Sequence, residues 1–216
     1  PITSKSLKDN VRPFVVRNSP ESLSPRVIWM HVNHYEHYTN YSTAIKGNEA
    51  AGKFSAELNS DDIMKVMNAV AGWQIDNSAS VPHHQLDWTN GALYAGMMKF
   101  AEVSPDRKYM DWLWRIGRTY GWQPHRNMYH ADDIAVCQMY LEMYRQKKTD
   151  RDSHLIFAPT QARLDYVISH PSSAGLLLDY SDPRTTERWS WCDALFMAPP
   201  VYAKLSVITG DNKYLE

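Results

Sequence analysis

The stretches "FAEVSPDRKYMDWL" (residues 100–113) and "LSVITGDNKYLE" (205–216) follow one plan. Each is an apolar helix end, a short turn built from Ser, Gly, Pro and Asp, and a Lys-Tyr pair opening another apolar helix. "YRQKKTDRDSHLIF" (144–157) is a degenerate third copy. A recurrence of this kind marks a repeated helix hairpin, and repeats decide architecture before any single element does. The helices that precede the three turns, at 89–103, 132–146 and 193–208, are the least charged, so they are expected to line a core while their partners wrap outside.

Local patterning agrees. "SDDIMKVMNAVAGWQ" has a serine cap at Ser60, two acids in its first turn, and Ile63, Met64, Met67, Val70 and Ala71 at helical spacing. Further helices are predicted from about Thr89 to Val103, from about Tyr109 through Gly117, from "HADDI" through Tyr144, from about 154 to 169, and from Asp193 to Val207. No alternating strand pattern stands out, so the fold class is all-α. Residues 1–59, including "HVNHYEHYTNYSTAIKGNEAAGK", carry weak periodicity and read as an irregular N-terminal segment or insertion, leaving 60–216 as a helix-hairpin domain.

Composition narrows the partners. The 216 residues hold 23 basic and 24 acidic side chains, a net charge of −1, so no global field attracts nucleic acid or an anionic membrane. No run of about 18 apolar residues is present to span a bilayer, and a soluble globular protein is expected. The first residue is proline with no leader-like stretch before it, which predicts a processed or trimmed N-terminus. Cys137 and Cys192 sit in apolar patterns and read as two buried thiols rather than a disulfide. Eight Trp and 13 Tyr against 5 Phe favour rings with a polar handle, suited to a wet, aromatic-lined cleft.

The hairpin repeat places Asp87, the Asp132–Asp133 pair and Asp193 at equivalent points, each at the N-terminal end of an inner helix. An acid there is commonly a cap, because helix N-termini favour negative charge and offer free N–H groups. Three equivalent positions, flanked by Trp88, Tyr129, Trp189 and Trp191, suggest more: a toroid of hairpins would bring these ends around one pocket.

"LDWTNGALYAGMMKF", "YHADDIAVCQMYLEMY" and "WSWCDALFMAPPVYAKLSVITGDNKYL" together resemble the unsaturated glucuronyl and rhamnogalacturonyl hydrolases, glycoside hydrolase families 88 and 105. The resemblance covers about residues 60–216. It implies an (α/α)6 barrel of six hairpins, of which this chain covers about the first half to two-thirds. It also implies removal of a terminal 4,5-unsaturated uronic acid from the oligosaccharides left by polysaccharide lyases. In that chemistry an aspartic acid protonates C4 of the vinyl ether, water adds at C5, and the hemiketal opens to expel the neighbouring sugar. No metal or organic cofactor is implied.

By the same resemblance Asp193 matches the general acid/base, and Asp132 or Asp133 the second carboxylate, with Asp132 favoured. Partial burial beside Trp189, Trp191 and Phe196, together with a second carboxylate, is expected to keep Asp193 protonated. Asp87, Trp88, Trp189 and Trp191 are candidates for sugar contacts, and His83, His84 and His130 for the uronate. Arg188, rather than Arg184, is the candidate grip on the carboxylate, since a guanidinium matches that geometry. His31, His34 and His37 share a metal-like spacing but lack helical pattern and carboxylate support, so no metal site is assigned. The implied partner is an oligosaccharide bound by a monomer or weak dimer, in the bacterial periplasm or outside the cell, with the cytoplasm as the alternative. Competing readings are a conventional inverting glycosidase or sugar epimerase on the same toroid, and a non-enzymatic helical-repeat carbohydrate-binding module.

Overall fold

Three buried helices, packed side by side, carry the molecule's helical core. They belong to a computed structural model that describes residues 58–216, apart from 148, 178 and 180, together with the backbone of 11–16 and 26–31. The chain divides into two compact units, Pro1–Asp62 and Ile63–Glu216.

In the first unit, β1 (Val11–Val16) pairs antiparallel with β2 (Arg26–His31), Val11 opposite His31 and Val16 opposite Arg26. The segment expected to be irregular therefore contains a strand pair. Its runs, "VRPFVV" and "RVIWMH", are rich in β-branched residues but do not alternate. Pro13 is tolerated because in a two-stranded ladder every strand is an edge. Of the His31, His34 and His37 set, His31 ends β2, and the other two lie outside the described residues.

The second unit is all-helical among the described residues. α1 spans Ser60–Asp76, α2 Trp88–Val103, α3 Lys108–Thr119, α4 Cys137–Lys147, α5 His154–Ser169, α6 Ala194–Met197 and α7 Pro199–Thr209. The cap of α1 is Asn59 rather than Ser60: its Oδ1 accepts the Asp62 N–H at 2.9 Å, and its Nδ2 donates to the Asp62 carboxylate at 2.8 Å. None of these helices is long and apolar enough to cross a membrane.

Burial follows the charge pattern most clearly at α4, whereas α7 buries only Val201, Leu205 and Ser206, fewer than α3. Every residue from Cys137 to Met143 in α4 is buried, so this helix is enclosed on all sides. It packs between α2, through Tyr94, Met97 and Met98, and α7, through Val201 and Leu205. α5 instead buries one narrow stripe, Ile156, Thr160 and Leu164, at four-residue spacing. α3 likewise hides one face, Tyr109, Trp112, Leu113, Ile116 and Gly117. Gly117 is required there, since a Cβ would fall 2.0 Å from the Trp122 ring. Inner α2, α4 and α7 with outer α3 and α5 form an arc of helix hairpins, the architecture of an α/α toroid.

The repeated turns are built alike. Asp106 Oδ1 accepts the Lys108 N–H at 2.9 Å and Asp211 Oδ1 the Lys213 N–H at 3.0 Å. The Ser104 and Thr209 hydroxyls each accept the N–H of those aspartates at 3.2 Å. Gly210 closes α7 at φ 73°, a left-handed conformation that glycine adopts without strain.

Midway along α4, Glu142 is buried beneath three cations. Lys204 of α7 lies 3.2 Å away and Lys99 of α2 3.7 Å, and Arg145 completes the set. Burial alone would raise this carboxyl, but Lys204, Lys99 and Arg145 hold it below the usual glutamate range. Lys99, Glu142 and Lys204 each follow Asp87, Asp132 and Asp193 by ten to twelve residues. At about 1.5 Å of rise per residue, helices in register at this hub present their acidic N-terminal ends at similar depth.

Candidate active site

One glycine lets the start of α2 approach the turn that bears Asp132. A Cβ on Gly91, in the first turn of α2, would lie 2.9 Å from the Val136 backbone nitrogen and 3.0 Å from the Ala135 methyl. With hydrogen there, α2 rests directly on the turn that precedes α4. Asp87 caps α2, its Oδ1 accepting the Trp88 N–H at 2.6 Å, and its other oxygen lies 3.5 Å from His83 Nδ1. Asn90 reaches back from α2 to the His84 carbonyl at 3.0 Å and fixes the approach loop.

Asp132 and Asp133 lie not on α4 itself, as predicted, but on a 3-10 turn, Asp132–Ile134, just before it. The turn sends the two carboxylates to different places. Asp133 is buried, and its Oδ1 receives the Asn127 N–H at 3.1 Å and stands 2.9 Å from His125 Nδ1. Its Oδ2 accepts Asn127 Nδ2 at 3.1 Å. Asp133 thus folds the 125–130 loop around itself. Arg163 of α5 holds the same loop from outside, donating to the carbonyls of His125 at 2.7 Å and Asn127 at 2.8 Å.

Asp132 is half-buried and faces His130 Nδ1 at 3.7 Å, while that nitrogen accepts the Asp132 N–H at 3.2 Å. Burial pushes its carboxyl above the usual range; His130 pulls it down, and the charges of Asp193, Asp133 and Asp87 add to the rise. The four aspartates singled out in the sequence are therefore electrostatic neighbours at Asp132.

Asp193 departs from expectation in one respect. It is exposed at the start of α6, and Trp191 and Phe196 beside it are 46% and 47% exposed, so no apolar wall encloses it among the described residues. The group shielded from water is Asp132. The helix predicted to run from Asp193 is also interrupted: Pro199 and Pro200 cannot donate to the ladder, and α6 ends at Met197 before α7 begins.

The other candidates divide by use. Trp88 is 41% exposed beside Asp87. Trp189 is committed to structure: with φ 55° it donates Nε1–H to the Tyr129 carbonyl at 2.8 Å and meets the Tyr202 ring edge-on. His84 is exposed yet stacks on His125 with ring centroids 4.7 Å apart. Burial lowers the His125 imidazole, Asp133 opposes that, and the neighbouring His84 adds to the lowering. Arg188 is exposed and spends one nitrogen on the Ser172 and Ala174 carbonyls, each at 3.2 Å. Arg184 chelates Asp182 within its own turn. Of the cysteines, Cys137 is buried, but Cys192 is exposed, contrary to the paired-core reading; both are free thiols. No three His, Cys, Asp or Glu side chains among the described residues are grouped as a metal site.

Sequence reasoning misses His125, Asn127 and Arg163. The polar run "QPHRN" just before the aspartate pair is the available signal for the first two. Arg163 shows in the sequence only as part of a helix face.

Comparison with known proteins places this geometry. The profile of Glycosyl Hydrolase Family 88 matches residues 60–216. A protein of Formosa agariphila named unsaturated 3S-rhamnoglycuronyl hydrolase is 34% identical over 128 residues, covering 59% of this chain and 33% of that protein. A protein of the same name from an Alteromonas species is 25% identical over 172 residues, covering 70% of this chain and 41% of that protein. The chain thus spans between a third and about two fifths of the length of these relatives. Among solved structures, one described as a polysaccharide lyase superposes with a TM-score of 0.56 at 20% identity, over 72% of this chain and 43% of that one, a likeness of fold. A profile match across residues 60–216 assigns the chain to Glycosyl Hydrolase Family 88.

Proposed function

We propose that the protein containing this chain removes a 4,5-unsaturated uronic acid from the end of oligosaccharides produced by polysaccharide lyases. The observation that carries the reading is the convergence at Asp132, where the charges of Asp193 and Asp87 are felt although they lie far away in the chain. Two carboxyls in contrasting surroundings, one exposed and one shielded, are suited to different roles; the family resemblance, rather than the surroundings, gives proton delivery to Asp193.

In this reading Asp193 delivers a proton to C4 of the vinyl ether and takes one from the water that adds at C5. The hemiketal at C5 opens its ring, C5 becoming a ketone and the ring oxygen taking up the proton; the hemiacetal this leaves at C1 then becomes an aldehyde and releases the neighbouring sugar as an alcohol, with one water consumed overall. Asp132 is the second carboxyl. Its raised affinity for a proton lessens its repulsion of an anionic uronate. Asp133, buried and saturated by its loop, holds structure rather than substrate. Trp88 and Trp191 supply exposed rings for stacking on sugars, His83, His84 and His130 line the approach for the uronate, and Arg188 retains donors for a carboxylate. The names of the two relatives support the substrate class.

The test is loss of the ultraviolet absorbance of the conjugated enol ether on adding the intact protein to lyase digests. Asp193→Asn is expected to abolish that loss while an unsaturated oligosaccharide still binds. Unchanged absorbance across digests of several uronate polysaccharides, or full turnover by Asp193→Asn, overturns the reading.

A further inference from the structure

We propose that Gln138 is a positioning residue that sets the placement of Asp193 relative to Asp132, by tying the one-turn helix α6 to helix α4. This rests on the proposed function for the roles of the two aspartates and goes beyond it in naming what holds them.

In an uninterrupted helix the carbonyl of Phe196 would accept the N–H of residue 200, and that residue is proline, which has none. The next carbonyl, of Met197, is passed over as well, because the Val201 N–H turns to Ala198 at 2.8 Å. A carbonyl left unpaired even in a partly buried place is costly. Gln138 of α4, itself 5% exposed, meets the need: its Nε2 donates to Phe196 O at 2.7 Å and approaches Met197 O at 3.4 Å.

The donor that the ladder lost to proline is thus returned from another helix, and with it comes a link between two elements. α4 begins just after the turn that bears Asp132, and α6 begins just after Asp193. α6 has a single turn and ends at a break, so its own ladder cannot hold Asp193 in place. A part-buried hydrogen bond at its C-terminal end, from a buried side chain of α4, does so. Misplacement of a reacting group by about 1 Å costs on the order of a hundredfold in rate, so this link bears on turnover.

A purely structural role for Gln138 and a positioning role predict different outcomes when the donor is returned by another route. Three variants of the intact protein separate them: Gln138→Met, Pro200→Ala, and the two combined. Pro200→Ala restores an N–H facing the Phe196 carbonyl. Gln138→Met is expected to lower both Tm and kcat, kcat by about tenfold or more, with KM within about twofold of wild type. In the double variant Tm is expected to recover, because the carbonyl is satisfied again, while kcat stays low because α6 is no longer tied to α4. Pro200→Ala alone, with Gln138 in place, is expected to keep wild-type kcat.

Recovery of kcat together with Tm in the double variant overturns the proposal, as does an undiminished kcat in a folded Gln138→Met. A low kcat in Pro200→Ala alone also overturns it, by making the proline bend, not the glutamine, the determinant. If Gln138→Met does not fold, the double variant decides by the same kcat criterion. A wild-type protein inactive on every digest sinks the functional reading and this proposal together, whereas an active wild type with any of the overturning results sinks the proposal alone.

Discussion

His125 Nδ1 stands 2.9 Å from Asp133 Oδ1, and that contact separates the fates of two adjacent aspartates. Asp133 spends both oxygens on the 125–130 loop. Asp132, one residue earlier, is left half-buried with its proton affinity raised. Sequence spacing alone could not choose between them; the loop does.

The two are expected to respond oppositely to loss of the carboxylate. The Asp132 carboxyl binds its proton more tightly folded than unfolded, so its contribution to stability is whole below the unfolded value, about 3.9. That contribution is lost as pH rises through the higher folded value. Asp132→Asn mimics the protonated form and is expected to stabilise the protein at neutral pH by about 0.5–2 kcal/mol, with the gain vanishing in acid. Asp133→Ala is expected to destabilise by about 1–3 kcal/mol, since it strands the Asn127 donors. Denaturant melts at two pH values check both signs.

Glu142→Gln removes the charge on which Lys99, Lys204 and Arg145 converge. Breaking such a buried set costs about 3–5 kcal/mol. Because the folded carboxyl is held low, its contribution is present above the unfolded value, about 4.3, and fades as pH falls through the folded one. The difference in chemical-denaturation midpoint between wild type and variant is expected to narrow in acid.

Gly91→Ala puts a methyl within 2.9 Å of backbone that cannot yield cheaply. A cost of about 1–3 kcal/mol is expected, together with reduced turnover as α2 is pushed off the Asp132 turn. Gly96→Ala, on the same helix with nothing within 4 Å of the new methyl, is the control and is expected to melt at or above wild type.

Thiol labelling of the native protein is expected to be biphasic. Cys192 is exposed and reacts at once, whereas burial of Cys137 pushes its thiol up to about 12 and keeps it from reagent. Two equally fast phases, read by a chromogenic disulfide reagent, would show that the α4 core opens readily.

Much of this is legible in the chain. The boundaries of α2, α3 and α5 fall close to where apolar spacing puts them, because packing and periodicity agree there. The turn repeat places the aspartates, since one local hydrogen-bond plan serves both Asp106 and Asp211. What escapes are groups whose partners are remote or are backbone atoms. Arg163 serves carbonyls 36 and 38 residues away, and Gln138 one 58 residues away; neither leaves a local pattern. The break after Met197 is in plain sight as two prolines, but which side chain answers it is not. Asp193 looks sheltered because its neighbours in sequence are aromatic, while in the fold Trp191 and Phe196 face outward beside it.

The ionic knot at Glu142 grips α4 and α7 at their midpoints, about three turns along the chain from Asp132 and Asp193. Alignment of the rods and presentation of the acids are therefore set in separate stretches of the same helices. The loops beside Asp132 can change in sequence while the clasp that keeps the rods parallel is inherited untouched.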